Sequence, residues 1–314
     1  MQIEESLALL FERILMKFTV VTPLFNGMPA LSRCIGSVRH QAANAALEVE
    51  HILQDGESTD GGVDFLQAHL GLDTSTENYR FSSISEADSG MYDAINKGWG
   101  KAEGDILSWL NSDEQYLPGT LEKVAAYFEA NPDVDAVFGD TILTTAAGRP
   151  YAARKEIPLR KWYVTNGFLY ALSCSTFFRR RLWDDGMLCL DTSYRFSSDT
   201  DLILRLLDAG IKFGHIPEYF SLFGVEDGRN LSFNPKMALE TEEIQMKHGA
   251  YAWKFMRKGA RLSRCLERLF RGCYQPGPVT YEYALDEVPN HANMEHPRLG
   301  FRFTYEGFSK DASK

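Results

Sequence analysis

What this chain lacks narrows the field first. No apolar run approaches the roughly 18–20 residues that a bilayer-spanning helix needs. The longest candidate, Phe168 to Phe178, is far shorter and carries Ser and Thr. Cysteines number only five (Cys34, Cys174, Cys189, Cys265, Cys273), an odd count without a CxxC pair, which argues against a disulfide scaffold or a zinc site. Positive charge is in deficit, with 33 Lys+Arg against 43 Asp+Glu for a net charge of −10. Affinity for a phosphate backbone needs a basic footprint, so nucleic acid is not expected as a partner. The GxGxxG and P-loop patterns are both missing, which leaves a dinucleotide dehydrogenase or a P-loop NTPase unsupported. Repeats and low-complexity segments are also missing. These absences point to a soluble, cytoplasmic protein. Its 314 residues suffice for one large α/β domain or two modest ones.

What is present is an alternation of short β-branched runs with helical stretches. Phe18 to Leu24 reads as a buried strand, closed by the turn signal Asn26-Gly27. Further strands are expected over Glu48–Gln54, Tyr79–Ile84, Asp105–Leu110 and Val134–Leu143, the last entering a hairpin turned at Ala147-Gly148. Helices are expected over Ala30–Ala46, Val63–Leu70, Met91–Ala102, Leu121–Ala130 and Thr200–Ala209. Strands alternating with helices imply βαβ units and a mostly parallel, twisted sheet with helices on both faces. In such sheets ligands bind beyond the carboxyl ends of the strands, so the loops at Asn26, Asp55, Glu86 and Asn111 are expected to converge on one cleft. The first sixteen residues have two readings: a short amphipathic helix through Ile3, Leu7, Leu10, Phe11 and Ile14, or an extension upstream of a start at Met16.

Asn111-Ser112-Asp113-Glu114 stands where a buried strand emerges. Carboxylates there are well placed to hold a hard divalent cation, which in turn takes phosphate oxygens; an ordinary acidic turn is the other reading. The surrounding motifs resemble those of family 2 glycosyltransferases of the GT-A fold. They are Val21-Thr22-Pro23-Leu24-Phe25-Asn26, the Asp55–Gly61 loop (similar to D-G-S-T-D-G with Glu57 inserted), the run Ser85–Gly98, Trp109–Glu114, and Ser198-Asp199-Thr200-Asp201-Leu202. The resemblance covers about residues 17 to 230 and implies a GT-A type, Rossmann-like α/β fold. It also implies a nucleotide-sugar-binding half (17–140), an acceptor-binding half (141–249), and a C-terminal helical extension with an irregular tail (250–314).

The resemblance implies roles position by position. Pro23, Asn26 and Asp55 would line the nucleotide pocket, with Asp55 accepting hydrogen bonds from the base. Glu86, Asp88 and Gly90 would flank the nucleotide and the donor sugar, with Asn96 and Lys97 behind them and Asn111 and Ser112 beside them. Asp113 corresponds to the metal-binding end of the family's D-x-D, implying Mg or Mn, although Asn111 replaces the first acid. Asp199 matches the Asp of the E-D motif, with Ser198 replacing the Glu. A sugar hydroxyl is a poor nucleophile, and a carboxylate within reach can accept its proton; Asp199 as a simple helix cap is the other reading. Asp201, four residues before Arg205, fits a helical ion pair. Ser175 and Thr176 fall where the family often contacts acceptor; a buried strand with incidental hydroxyls is the other reading.

One segment runs against the overall charge. Residues 249–272 carry seven basic residues against one acid, and Leu262, Cys265, Leu266, Leu269, Phe270 and Cys273 form one apolar stripe at helical spacing. Such a helix either docks on the core or lies on anionic lipid through Arg257, Lys258, Arg261 and Arg264. The implied activity is transfer of a sugar, with inversion, from a nucleoside-diphosphate donor to a hydroxyl on a glycan or polyprenyl-linked acceptor. It would act at the inner face of the membrane, and self-association is left open. A sugar nucleotidyltransferase and a non-catalytic nucleotide-sugar-binding protein are the alternatives.

Overall fold

Seven consecutive buried residues, Phe18 to Leu24, make β1 (Met16–Leu24) the spine of the sheet. The computed structural model describes residues 16–28, 30–42, 47–62, 77–145, 150–225, 235–275, 277–285 and 288–295. The expected helices over the first fifteen residues and over 63–70, and the turn at Ala147-Gly148, lie outside the described residues. β1 is hydrogen-bonded in parallel to β2 (Leu47–Asp55) on one edge and to β4 (Ile106–Trp109) on the other. β3 (Tyr79–Ser85) continues the parallel set beside β2. A strand paired on both edges and covered on both faces needs apolar side chains on both, which explains the run without strict alternation.

Two helices supply those covers. α1 (Leu31–Gln41) buries Leu31, Cys34, Ile35 and Val38, and Cys34 and Val38 pack with Phe18 and Val20. α2 (Met91–Lys101) buries Tyr92, Ile95, Gly98 and Trp99 on the other face, around Val21 and Ile52. Helices on both faces follow from this alternation along β1.

Beyond β4 the pairing changes sense. After the two-residue β5 (Gln115–Tyr116) and helix α3 (Thr120–Ala130) come β6 (Ala136–Thr145), β7 (Pro150–Arg154), the short α4 (Lys161–Asn166), β8 (Thr176–Arg179) and α5 (Arg181–Asp184). Then follow α6 (Ser198–Asp208) and β9 (Phe213–Val225). The described strands order as β3-β2-β1-β4-β8-β6-β9-β5, with β7 pairing back onto β6. β8 runs antiparallel between β4 and β6, whereas β6 and β9 are parallel. The parallel pattern thus holds over β3-β2-β1-β4 and again for β6–β9. The expected boundary between halves, at residues 140 and 141, falls inside β6, and one sheet runs through both.

Helices α7 (Pro235–Lys247) and α8 (Lys254–Phe270) follow β9. The tail, which shows no period in sequence, forms an antiparallel pair, β10 (Val279–Leu285) with β11 (Val288–Met294). Val279 anchors it among Leu117, Ile142, Ala153 and Leu222.

α8 corrects one expectation. The helix forms, but the leucines and Phe270 of the stripe face outward, with Leu262 62 % exposed, Leu269 57 % and Phe270 85 %, while Cys273 is buried. Arg257, Arg264 and Arg268 are buried instead. The reason is the surface beneath the helix, which offers charge partners and aromatic faces. Arg257 donates to the Tyr251 carbonyl and pairs with Glu242, and Arg264 lies over Phe168 and Tyr170. Arg257 and Arg264 therefore do not form a lipid-facing basic side.

α2 approaches β1 so closely that a Cβ on Gly98 would lie 2.5 Å from Val21 Cγ1. Gly98→Ala is expected to destabilise the protein by about 1–3 kcal/mol through overpacking. Chemical denaturation checks this, and an unchanged midpoint would contradict the close approach.

Candidate active site

The site is built from the loops that follow β1, β2, β3 and β4. After β1, Asn26 sits in the left-handed region at φ 52°, where Asn is better tolerated than most side chains. Its backbone N–H donates to Ser58 Oγ and its Oδ1 accepts from the Thr59 N–H, both at 2.9 Å. Asp55, at the end of β2, is the hub of this lacework. Its carboxylate accepts from the Ser58 N–H, from Ser58 Oγ and from Ser85 Oγ. The extra residue of the acidic loop, Glu57, takes up a left-handed turn at φ 62°.

This corrects the reading of Asp55. It is 1 % exposed and lies behind the cleft wall, which Pro23, Asn26 and Gly56 form in front of it. A carboxylate whose lone pairs are spent on three internal donors holds a loop in place.

Gly56 lets the third loop close over it. A Cβ there would lie 2.4 Å from Asp88 Oδ2. Asp88 Oδ1 in turn accepts the Gly90 N–H at 2.8 Å, and Gly90 opens α2 at φ 124°. The guanidinium of Arg195 covers Gly90 from outside, 3.1 Å from where a Cβ would stand. Glu86, Asn96 and Lys97 do not reach the cleft. Glu86 is held below the usual carboxylate range by its hydrogen bond to Lys101 and then by Gln54. Asn96 is spent on both backbone groups of Leu190, and Lys97 donates to the Ala87 carbonyl and pairs with Asp93.

The acidic centre follows β4. Asn111, Ser112, Asp113 and Glu114 all line the cavity, with Asp113 exposed to it. The Asn111 N–H donates to Glu114 Oε2 at 2.8 Å, which curls the loop. Burial, and then the Asp113 carboxylate, push the Glu114 carboxyl up to about 8, the response of a buried acid facing a second acid. Asn111 Oδ1 and Glu114 Oε1 are buried and have no hydrogen-bond partner among the described residues. Together with Asp113 they form a set of hard oxygen donors that suits Mg or Mn. Among the described residues no group of three or more His, Cys, Asp and Glu could cage a metal unaided.

Asp199 faces this centre from α6. Burial pushes its carboxyl up to about 6, against the Thr200 N–H that donates to Oδ1 at 2.8 Å. Its place in the first helical turn supplies backbone N–H groups that favour the charged form. Asp201 points away and pairs with Arg205 at 2.6 Å, as the spacing predicts. The segment before Asp199 is fixed by a residue that the sequence reading missed. Glu240 of α7 accepts the N–H groups of Arg195, Phe196 and Ser197 at 2.8, 2.7 and 2.6 Å. No local pattern announces Glu240, because its partners lie more than forty residues upstream.

Ser175 and Thr176 are corrected as well. Both are buried, Ser175 bonding to Thr141 and Ser221 hydroxyls and Thr176 to the Leu172 carbonyl, so they tie strands together beneath the cleft. The wall of the cavity away from the β1 and β4 loops is made by Arg154, Tyr163, Phe168, Tyr194 and the α8 residues Arg261, Arg264 and Arg268. The whole cavity measures about 1520 Å³. It exceeds the roughly 300–1,000 Å³ of an ordinary small-molecule pocket and leaves room for two substrates. It gathers Pro23, Asn26, Asp88, Gly90, Asn111, Ser112, Asp113 and Asp199 on one surface.

Known proteins are similar to this chain in sequence and in fold. The PGL/p-HBAD biosynthesis glycosyltransferase of Mycobacterium tuberculosis is 32% identical over 127 residues, covering 40% of this chain and 47% of the relative. The undecaprenyl-phosphate 4-deoxy-4-formamido-L-arabinose transferase of Proteus mirabilis is 27% identical over 124 residues, covering 40% of this chain and 37% of that protein. The matches thus span about half, or less, of these curated relatives. Among solved structures, S. aureus TarS 1–349 in complex with UDP-GlcNAc superposes with a TM-score of 0.58 at 17% identity, over 83% of this chain and 75% of that one. The mannosyltransferase PcManGT of Pyrobaculum calidifontis, in complex with GDP-Man and Mn2+, gives 0.52 at 15% identity, over 81% and 75%. The fold is thereby that of the GT-A glycosyltransferases. Residues 19–195, more than half of the chain, match Glycosyl transferase family 2, and the protein belongs to that family.

Proposed function

We propose that this protein transfers a sugar from a nucleoside-diphosphate donor to a hydroxyl of a glycan or polyprenyl-linked acceptor, with inversion at the anomeric carbon. The observation that carries the reading is a single cavity lined by both Asp113 and Asp199 in a chain of this family. The nucleotide would lie along Pro23, Asn26 and Gly56, and its diphosphate would run toward Asp113 past Asp88 and Gly90. Asn111, Asp113 and Glu114 would hold Mg or Mn, which when bound neutralises charge developing on the departing diphosphate. Arg195, stacked over Gly90, adds a second positive group on that side.

Asp199 would accept the proton of the acceptor hydroxyl as its oxygen bonds to the anomeric carbon. The bond from that carbon to the diphosphate breaks on the opposite face, so one displacement inverts the centre. A carboxyl raised to about 6 by burial is a stronger base than a solvated aspartate and is still ionised at neutral pH.

Membrane contact is proposed at α8 through an apolar ridge, keeping Lys258 and Arg261 of the basic residues read in sequence and dropping the buried Arg257 and Arg264. Trp253, Phe255, Leu262, Leu266, Leu269 and Phe270 form an exposed ridge, flanked by exposed Lys254, Lys258, Arg261 and Arg271. That composition suits an anionic bilayer surface into which the ridge sinks while the cations meet headgroups. Arg261 and Cys265 of the same helix line the cleft, which would open its acceptor side toward the lipid. Among the described residues no helix is long and apolar enough to cross a membrane.

Measurements of turnover, pH dependence and vesicle flotation test these assignments. Donor hydrolysis and transfer, screened over nucleotide sugars with Mn2+, should single out one donor. With that donor Asp199→Asn is expected to lower turnover by about 10²–10⁴-fold while sparing donor affinity. Wild-type turnover should fall as pH drops through about 6, where Asp199 takes up its proton, and this limb should vanish in the variant. Retained turnover would remove Asp199 from the chemistry. Glu240→Ala, which frees the segment leading into Asp199, should lower kcat by roughly 10–100-fold through mispositioning. A kcat equal to wild type would show that segment to be held otherwise. Replacing both Leu266 and Phe270 with Glu should abolish flotation with anionic vesicles at unchanged Tm, and persistent flotation would rule out the ridge.

A further inference from the structure

The far wall of the cleft holds more positive charge than its own fold uses. Arg154, Arg264 and Arg268 are each no more than 4 % exposed, and all three line the cavity. They converge on one acid, Glu156. Arg154 Nε donates to Glu156 Oε1, Arg264 Nη2 donates to Oε2, and Arg268 Nε stands 3.8 Å from Oε2. Aromatic faces complete the setting: Arg264 lies 4.5 Å over Phe168 and 4.4 Å over Tyr170, and Arg268 lies 4.9 Å over Tyr274.

Three guanidinium groups around one carboxylate leave an excess positive charge in a desolvated pocket. Burial acts to raise the Glu156 carboxyl, but Arg154, Arg264 and Arg268 outweigh it and hold it below the usual carboxylate range. Glu156 therefore stays an anion, and it is not enough. Asp140, the adjacent acid, spends Oδ1 on the Glu156 N–H and on His215. Arg264 Nε and Arg268 Nε are buried and have no hydrogen-bond partner among the described residues. Three buried guanidinium groups that line one cavity around a single carboxylate suit an oxyanion there. Arg presents its donors as a planar fork that matches phosphate and carboxylate oxygens.

We infer that Arg154, Arg264 and Arg268, mounted on Glu156, form an anion subsite for a phosphate group carried by the acceptor. The inference rests on the glycosyltransferase reading and narrows its acceptor class. The subsite lies on β7 and α8, apart from the β1 and β4 loops assigned to the donor, so it is a second anion position within one cleft. The phosphate could belong to a lipid or to a water-soluble phosphorylated glycan; the exposed ridge of α8 beside it favours the lipid.

The test is calorimetric titration of the full chain with citronellyl phosphate, glycerol 3-phosphate and unphosphorylated citronellol. The nucleoside diphosphate of the donor, with Mn2+, is titrated in parallel. The two phosphates should bind and citronellol should not. Arg264→Gln and Arg268→Gln should each weaken the phosphates at least tenfold, Arg268→Lys should restore part of the loss, and nucleotide affinity should stay within twofold. Retained nucleotide binding shows that each variant is folded. Tighter citronellyl phosphate would assign a lipid-borne acceptor, and tighter glycerol 3-phosphate a soluble one; either supports the subsite. The inference is overturned if the variants bind phosphates as wild type does, if the phosphates displace the nucleotide, or if folded wild type binds nucleotide but no phosphate. Phosphate binding without nucleotide binding would keep the subsite and sink the donor reading.

Discussion

Holding acids of like charge around one hollow is the constraint on which this structure turns. Burial raises the cost of ionising Glu114 and Asp199, and the Asp113 carboxylate adds to it at Glu114. The fold answers with backbone donors. The Asn111 N–H serves Glu114, and the Thr200 N–H and the start of α6 serve Asp199. Among the described residues Glu114 Oε1 and Asn111 Oδ1 stay buried without a hydrogen-bond partner. On the opposite wall Arg264 Nε and Arg268 Nε have no hydrogen-bond partner among the described residues. Charge is thus separated along the cleft into an acidic and a basic pole, an arrangement that a sugar diphosphate with its cation and a phosphorylated acceptor would both neutralise.

Polar residues that do not face the cleft are what position those that do. Asp55 spends its carboxylate on Ser58 and Ser85 and so fixes the loop that holds Asn26. Glu240 gathers three consecutive backbone N–H groups and so sets the approach to Asp199. Asn96 clamps Leu190 with both ends of its amide. Each was open to being read as a binding residue or overlooked, because a hydrogen-bonding side chain looks the same in sequence whether it faces a ligand or a loop. Geometry separates the two roles: an acceptor already saturated by internal donors has nothing left to offer a substrate.

Helix α8 makes the same point for apolar residues. Its stripe is plain in the sequence, and an apolar stripe ordinarily docks on a core. Here the docking surface is built from Glu156, Glu242, Phe168, Tyr170 and Tyr274, which gives guanidinium groups ion pairs and aromatic faces. Arginine can be buried on such terms when its planar head is stacked and paired. The face that would ordinarily be inside is left outside, beside the mouth of the cleft.

By itself the sequence determined the strand-and-helix alternation from Phe18 to Gly139, the burial of β1 on both faces, and the candidate acids at Asp113 and Asp199. These are local properties, written in periodicity and in motifs that follow strand ends. Tertiary structure decided the antiparallel insertion of β8, the withdrawal of Asp55, Glu86, Ser175 and Thr176 from the cleft, and the inward turn of the α8 arginines. Those outcomes depend on which groups, dozens of residues away, supply the opposing charge or hydrogen bond. Periodicity within a segment carries no information about such partners.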